Sequence, residues 1–93
     1  MTLKIERRSG KHKTWIRLSG EVRLECLDQL KDEIARCGSR VALDLQEVNI
    51  VDLEAVRFLN GCQDRGISVV RSAAYIKEWM LRERIDGKKG RDP

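Results

Sequence analysis

Four polar residues with potential for binding chemistry lie within residues 41–59, which read VALDLQEVNIVDLEAVRFL. Asp44 falls in an apolar strand pattern, Asn49 lies in the polar stretch behind it, and Asp52 and Glu54 begin an amphipathic helix pattern. Carboxylates at a helix N-terminus lie near unpaired backbone N–H groups and near the positive end of the helix dipole. An arrangement of this kind suits phosphate chemistry or the docking of a protein partner.

The same residues also have simpler structural roles. Asp44 either lines a site with Asn49 beyond the carboxyl end of its strand, as in open α/β sheets, or accepts loop N–H groups. Asp52 is a good N-cap for the backbone N–H groups two and three residues later. Glu54 gains about 0.3–1 kcal/mol from the helix dipole and can pair with Arg57, three residues on.

The sequence contains no catalytic constellation. His12 is the only histidine and lies in a lysine-rich turn, so no Ser–His–Asp or Cys–His set is expected around it. No glycine-rich phosphate loop is present, which leaves nucleotide binding at the strand ends without a phosphate cradle. Cys26, Cys37 and Cys62 are odd in number and lack CxxC spacing, which argues against a disulfide framework or a zinc site. We therefore predict a protein that is not an enzyme and has no catalytic residues, metal or cofactor.

Composition indicates one small folded domain. The chain has 93 residues, of which 41% are hydrophobic and 37% charged, enough for a single core. Its net charge of +4 comes mostly from the N-terminal residues and the tail. Basic ends of this kind usually keep a protein in solution, so nucleic-acid binding is not expected. With no signal peptide, no apolar run near the ~20 residues of a membrane span, and three free thiols, a reducing cytoplasm is expected.

Hydrophobic periodicity predicts an α/β domain in the order ββαβαβα. The predicted strands are residues 3–7, 14–18, 41–45 and 67–70, and the predicted helices begin at Leu24, Asp52 and Ala73. Gly38 and Gly66 are expected to end the first two helices, and residues 86–93 form a flexible basic tail to a domain of residues 1–85. An N-terminal hairpin gives the sheet an antiparallel edge, and right-handed helical crossovers make the later strands parallel. The predicted helical core positions are Leu24, Leu27, Leu30, Ile34, Leu53, Val56, Leu59, Cys62, Ile76, Trp79 and Met80, with Ile85 a further candidate.

Over residues 14–85 the chain resembles the STAS family, the sulfate-transporter and anti-sigma-factor-antagonist domains. The resemblance lies in the strand end Ile16-Arg17-Leu18-Ser19-Gly20, the strand with Asp44, the lead-in Asn49-Ile50-Val51-Asp52, and Gly66 before a strand. It implies helices packed mainly on one face of the sheet. It also implies bacterial partner switching, in which the domain binds an anti-sigma factor that is also a serine kinase, and phosphorylation breaks the complex.

The chain departs from the family at the switch itself. The family pattern is Asp-Ser-Ser/Thr-Gly followed by an aliphatic residue, with the second hydroxyl residue as the usual phosphosite. In the same register this chain retains Asp52 and Val56 but has Leu53, Glu54 and Ala55 between them. Because Glu54 occupies the phosphoacceptor position and no hydroxyl is adjacent, phosphorylation at this site is chemically excluded.

Two interpretations of Glu54 stay open. In one, Glu54 supplies a permanent negative charge where a phosphate would come and go. The imitation is partial, because a carboxylate carries one charge and two oxygens, against about −1.5 to −2 and three acceptor oxygens for phosphoserine. In the other, the switch was lost and Glu54 simply fits a helix N-terminus.

The sequence favours an interaction domain that binds an anti-sigma factor or serine-kinase-like ATPase to regulate transcription. The alternative is an accessory subunit of an ABC-type, phospholipid-trafficking transport system, where STAS domains without the serine dock on a transporter ATPase. Trp79 and Met80 are expected to pack in the core and not to form a partner patch. The predicted partner-binding residues are Ser19, Glu21, Asn49, Asp52, Glu54 and Arg57.

Overall fold

Four strands form a single mixed sheet in the order β1-β2-β3-β4. In this computed structural model, residues 3–37 and 40–91 are described, and their side chains as far as residue 86. The β1–β2 hairpin is antiparallel and the other two strand pairs are parallel, so the predicted α/β class and mixed sheet are confirmed. The elements are β1 (Leu3–Ser9), β2 (Thr14–Val22), a 3-10 turn (Leu24–Cys26), α1 (Leu27–Arg36), β3 (Val41–Val51), α2 (Leu53–Asp64), β4 (Ser68–Val70) and α3 (Ala74–Arg91).

The core lies between one face of the sheet and the three helices. Alternation along the strands sends Ile16, Leu18 and Leu43 to this face, where all three side chains are fully buried. Burying a side chain of this size contributes about 1.5–3 kcal/mol. Leu30 of α1, Leu59 of α2, and Ile76 and Met80 of α3 belong to the same cluster. The helices therefore share one face, as the family resemblance implies, and the opposite face of the sheet stays open.

The two central strands are longer than the sequence pattern predicts. The sequence pattern predicts that β2 ends before Ser19-Gly20 and that residues 46–49 form a loop, and both predictions are wrong. The strands stay paired through register shifts between Arg17 and Ser19 and between Gly20 and Glu21. Each shift inserts one extra residue in β3, and Gly20, beside the second shift, adopts a φ of 98°, which a residue without a Cβ reaches at little cost.

Three predicted core positions are exposed instead. Leu24 is 58% exposed, Leu53 37% and Ile85 57%. Leu24 begins the 3-10 turn, whose three-residue period differs from that of the helix that follows. Leu53 is the first residue of α2, and Ile85 lies about 140° around α3 from the buried Met80, at ~100° per residue.

Other core predictions on the helices are confirmed. Met80 is 5% exposed within the core cluster, and Trp79 is partly buried against it. The α2–α3 contact also has a polar part, which periodicity does not reveal. Asn60 donates to the carbonyl of Met80 at 3.0 Å, and Arg84 donates to the carbonyl of Asn60 at 3.1 Å.

The helix ends agree only in part with the predicted stops. Gly66, at a φ of 90°, ends α2 as predicted, and the Ile67 N–H donates to the carbonyl of Cys62 at 2.9 Å. The stop predicted at Gly38 lies outside the described residues. The backbone of α3 is helical to Arg91, so residues 86–91 continue the helix where a tail was predicted. Each glycine in this stretch costs about 1 kcal/mol of helix stability, whereas its two lysines and Arg91 are good helix formers. The mobility of the segment stays a prediction. No helix in the described part of the chain is long and apolar enough to span a membrane.

The cysteines are free thiols in three different environments. Cys62 is fully buried in the core, which confirms its predicted core position, whereas Cys26 and Cys37 are half-buried. Burial raises the pKa of the Cys62 thiol above its ordinary value of 9.0, and neighbouring Arg65 offsets part of this rise.

We expect the free energy of unfolding to fall as the pH rises above 9.0. In that range the unfolded chain releases the Cys62 proton while the folded chain retains it, so the folded state binds more protons and loses stability with rising pH. Urea denaturation at about pH 8 and about pH 10 measures this loss. Cys62→Ala should lose less stability over the interval than the wild type, and Cys26→Ala should match the wild type. Equal losses for Cys62→Ala and the wild type would contradict the assignment.

Candidate functional site

Asp52 connects three elements through its carboxylate. Oδ1 accepts a hydrogen bond from the Ala55 N–H at 2.9 Å, which confirms the predicted N-cap of α2. Oδ2 accepts the Leu24 N–H, also at 2.9 Å, a contact across 28 residues that the sequence did not predict. The Asp52 N–H lies 3.4 Å from the carbonyl of Val22 at the end of β2. One side chain therefore joins the start of α2 to the chain that leaves the neighbouring strand.

Glu54 is the second residue of α2. Its side chain is 48% exposed, and its Oε2 is 3.6 Å from an Arg57 guanidinium nitrogen, which confirms the predicted pair. The Arg57 Nε makes a shorter contact, 3.1 Å, with Glu83 of α3, which the sequence did not predict. Because Arg57 is shared and its closer partner is Glu83, it neutralises the Glu54 carboxylate only in part. The carboxylate therefore remains available to a cation on a binding partner.

The remaining predicted partner-binding residues divide between two places. The β2–β3 register sets Glu21 opposite Ile50, two residues before Asp52. The Asn49 carbonyl accepts a hydrogen bond from the Tyr75 hydroxyl. Glu21 and Asn49 therefore lie near Asp52, at the carboxyl end of β3. Ser19 does not lie there. It pairs with Lys4 in the unbroken β1–β2 ladder, on the open face of the sheet.

Asp44 and Asn49 do not form the site that the sequence allowed. Both belong to the continuous strand β3, five residues apart, which separates their Cα atoms by roughly 16 Å. The Asp44 Oδ1 accepts the Gln46 N–H at 3.0 Å, so the simpler interpretation, in which Asp44 accepts local N–H groups, is confirmed. Its Oδ2 lies 3.5 Å from the Nε of Arg71, beyond the end of β4.

Exposed apolar side chains surround Asp52. Of the six large hydrophobic side chains that are exposed among the described residues, four lie here, and we call them the Asp52 patch: Leu24, Ile50, Leu53 and Tyr75. The hydrogen bonds of Asp52 with Leu24 and of Tyr75 with Asn49 bring these segments together. Clustered exposed apolar side chains mark interaction surfaces. The sequence pattern missed this patch because it assigned Leu24 and Leu53 to the core and Ile50 to the lead-in of a helix.

The surface around Asp52 offers apolar contact and charge, and residues 53–55 carry no hydroxyl. Within residues 3–37 and 40–91, no three His, Cys, Asp or Glu side chains group as metal ligands would. No protein-family model and no curated protein sequence matches this chain. What the surface can do has to be argued from its own geometry, four exposed apolar side chains beside charged ones.

Replacing Asp52 with alanine should lower the free energy of unfolding by about 1–2 kcal/mol, because the N-cap and the bond to Leu24 are both lost. Asp52→Asn should cost less, since its amide oxygen can still cap α2. Glu54→Ala is the matched control and should change stability by at most about 0.5 kcal/mol, because its ion pair is exposed. Urea denaturation of the three variants checks this order, and equal losses for Asp52→Ala and Glu54→Ala would rule out the connecting role of Asp52.

Proposed function

We propose that the protein is a non-catalytic interaction domain of the STAS type that acts in the bacterial cytoplasm. Its partner is an anti-sigma factor of the serine-kinase-like ATPase class, and binding regulates transcription. The observation that carries this proposal is the Asp52 patch, four exposed apolar side chains around the N-terminus of α2. The one-sided packing of the helices supports it, because it agrees with what the family resemblance implies.

The composition of the patch is suited to a protein partner. Covering the exposed part of each apolar side chain on binding would contribute on the order of 1 kcal/mol. Charged residues flank the apolar centre: the Arg23–Glu21 pair at 3.0 Å on one side and Glu54 with Arg57 on the other. An apolar centre with a polar rim is the usual anatomy of a protein interface.

Glu54 in the phosphoacceptor position makes binding to the partner independent of phosphorylation there. A kinase partner cannot release the domain by phosphorylating residue 54, because glutamate has no hydroxyl to accept the phosphoryl group. We infer that Glu54 acts as a permanent charge and that the partner presents a cation to it. The 48% exposure of the side chain and its long 3.6 Å contact with Arg57 support this role over a purely local fit to the helix N-terminus.

A permanent docking subunit of an ABC-type transporter is the second candidate. The absence of a hydroxyl in the phosphoacceptor position favours it, since a subunit that stays bound needs no covalent release. Both candidates use the Asp52 patch, and the class of ATPase that binds there separates them.

Capture from a lysate of the native host tests the proposal with matched variants. We expect the wild-type protein and Arg17→Ser, changed on the open face, to retain a serine-kinase-like ATPase, and Leu53→Asp to lose it. Thermal unfolding checks that both variants are folded. A transporter ATPase with the same pattern would support the second candidate instead. If every protein captured by the wild type is also captured by Leu53→Asp, the Asp52 patch is not the partner surface.

Glu54 variants then test the fixed charge, using the purified partner and calorimetry. We expect Glu54→Gln to weaken binding about five-fold, equivalent to ~1 kcal/mol, and a local fit to the helix predicts no change. Glu54→Ser restores a hydroxyl, so a kinase partner with ATP should phosphorylate it, as mass spectrometry would show. If the serine is not phosphorylated and affinity is unchanged, descent from a phosphorylation switch is contradicted.

A further inference from the structure

Basic side chains gather at the hairpin end of the open sheet face, at the opposite end of β2 and β3 from the Asp52 patch. They lie around a cleft of about 530 Å³ and on the β1–β2 turn. We call this surface the basic face, and its members around Trp15 are Arg8, Lys11, Lys13, Arg17 and Arg40. We propose that the basic face docks the protein on an anionic lipid membrane. The proposal does not rest on the Asp52 patch or on the partner that binds there.

Strand register places three of these side chains on the open side of the sheet. Ile16 and Leu18 are fully buried under the helices, so Trp15 and Arg17, which alternate with them along β2, project to the uncovered side. In the β1–β2 ladder Arg8 is opposite Trp15, and residues opposite each other on neighbouring strands share a side. Because all three helices pack on the other face, none of them stands between these side chains and a flat surface.

The hairpin turn and the chain that enters β3 extend the positive charge beyond the strands. Lys11 is exposed in the turn, and the Thr14 N–H donates to the carbonyl of Arg40 at 2.9 Å, which brings this exposed arginine beside the start of β2. The Lys13 ammonium lies 5.5 Å from the centre of the Trp15 ring, within the range of a cation–π contact. Basic residues that are far apart in the sequence therefore share one end of the sheet.

The acidic side chains of the cleft do not neutralise its central arginines. Glu6 has an ion pair with a neighbouring lysine at 3.5 Å, and Asp44 has one with Arg71, also at 3.5 Å, so each carboxylate has a cation of its own. Among the described side chains, neither Arg8 nor Arg17 has an ion-pair or hydrogen-bond partner. The basic face therefore presents a net positive charge to its surroundings.

The composition of the basic face suits a membrane better than an acidic protein. A protein interface has an apolar centre, and none of the large hydrophobic side chains that are exposed in the described part of the chain lies on this face. An anionic lipid surface presents diffuse negative charge, which attracts clustered cations without matched ion pairs. The half-buried Trp15 beside Lys13 also fits the level of the lipid headgroups, where indole rings and lysine side chains keep their polar ends in water.

Co-sedimentation of the full chain with lipid vesicles tests the proposal. At about 0.1 M salt we expect binding to vesicles of equal parts phosphatidylglycerol and phosphatidylcholine, none to phosphatidylcholine alone, and loss of binding at about 1 M salt, where the Debye length is ~3 Å. The double variant Arg8→Gln/Arg17→Gln should weaken binding about 25-fold, because each basic residue near an anionic membrane contributes about five-fold, equivalent to ~1 kcal/mol. Lys11→Gln alone should weaken it about five-fold. Lys77→Gln/Arg82→Gln, which removes two exposed cations from α3, is the charge-matched control and should bind within about two-fold of the wild type.

Tryptophan fluorescence reports directly on the basic face. In a Trp79→Phe background Trp15 is the sole tryptophan, and its emission should shift to shorter wavelength when anionic vesicles are added. Thermal unfolding checks that every variant is folded. Equal losses of binding in the two double variants, equal binding to phosphatidylcholine vesicles, or an unchanged Trp15 spectrum would overturn the proposal. Binding to polyglutamate or to a single-stranded oligonucleotide as tight as to anionic vesicles would also overturn it, because the basic face would then serve an acidic protein or a nucleic acid.

Discussion

The parallel pairing of β2 with β3 is the constraint on which the rest of the structure depends. These strands form the centre of the sheet, and their partners β1 and β4 each contact only one of them. Their inward row of Ile16, Leu18 and Leu43 is the floor of the core on which all three helices pack. Where the ladder is regular it sets Arg17 opposite Asp44 on the open face, and where β3 bulges opposite Gly20 it carries the chain on to Asp52.

Two surfaces of different chemistry result from this arrangement. Around Asp52 the chain leaves β2 and enters α2, and apolar side chains that have no place in the core remain exposed beside Glu54. On the open face the register collects arginines and one indole, with no helix to cover them.

Some of these features were predictable because their physical cause is local. The alternation of Ile16 and Leu18, the cap at Asp52 and the helix end at Gly66 each depend on residues within a few positions of one another. The same holds for the absence of a hydroxyl at the start of α2, which residues 53–55 decide alone. The exposure of Leu24 was not predictable in this way, because apolar spacing does not reveal where a 3-10 turn replaces the first turn of a helix.

The sequence by itself determined the α/β class, the order of the elements and the absence of a hydroxyl side chain at residues 53–55. Only the tertiary structure decided that Asp52 also holds Leu24, that Ser19 lies apart from Glu54, and that Arg8, Trp15 and Arg71 share one cleft. The physical reason is distance along the chain. Caps and periodicity act between near neighbours, whereas these juxtapositions come from strand register and a bulge, which depend on the whole sheet being paired.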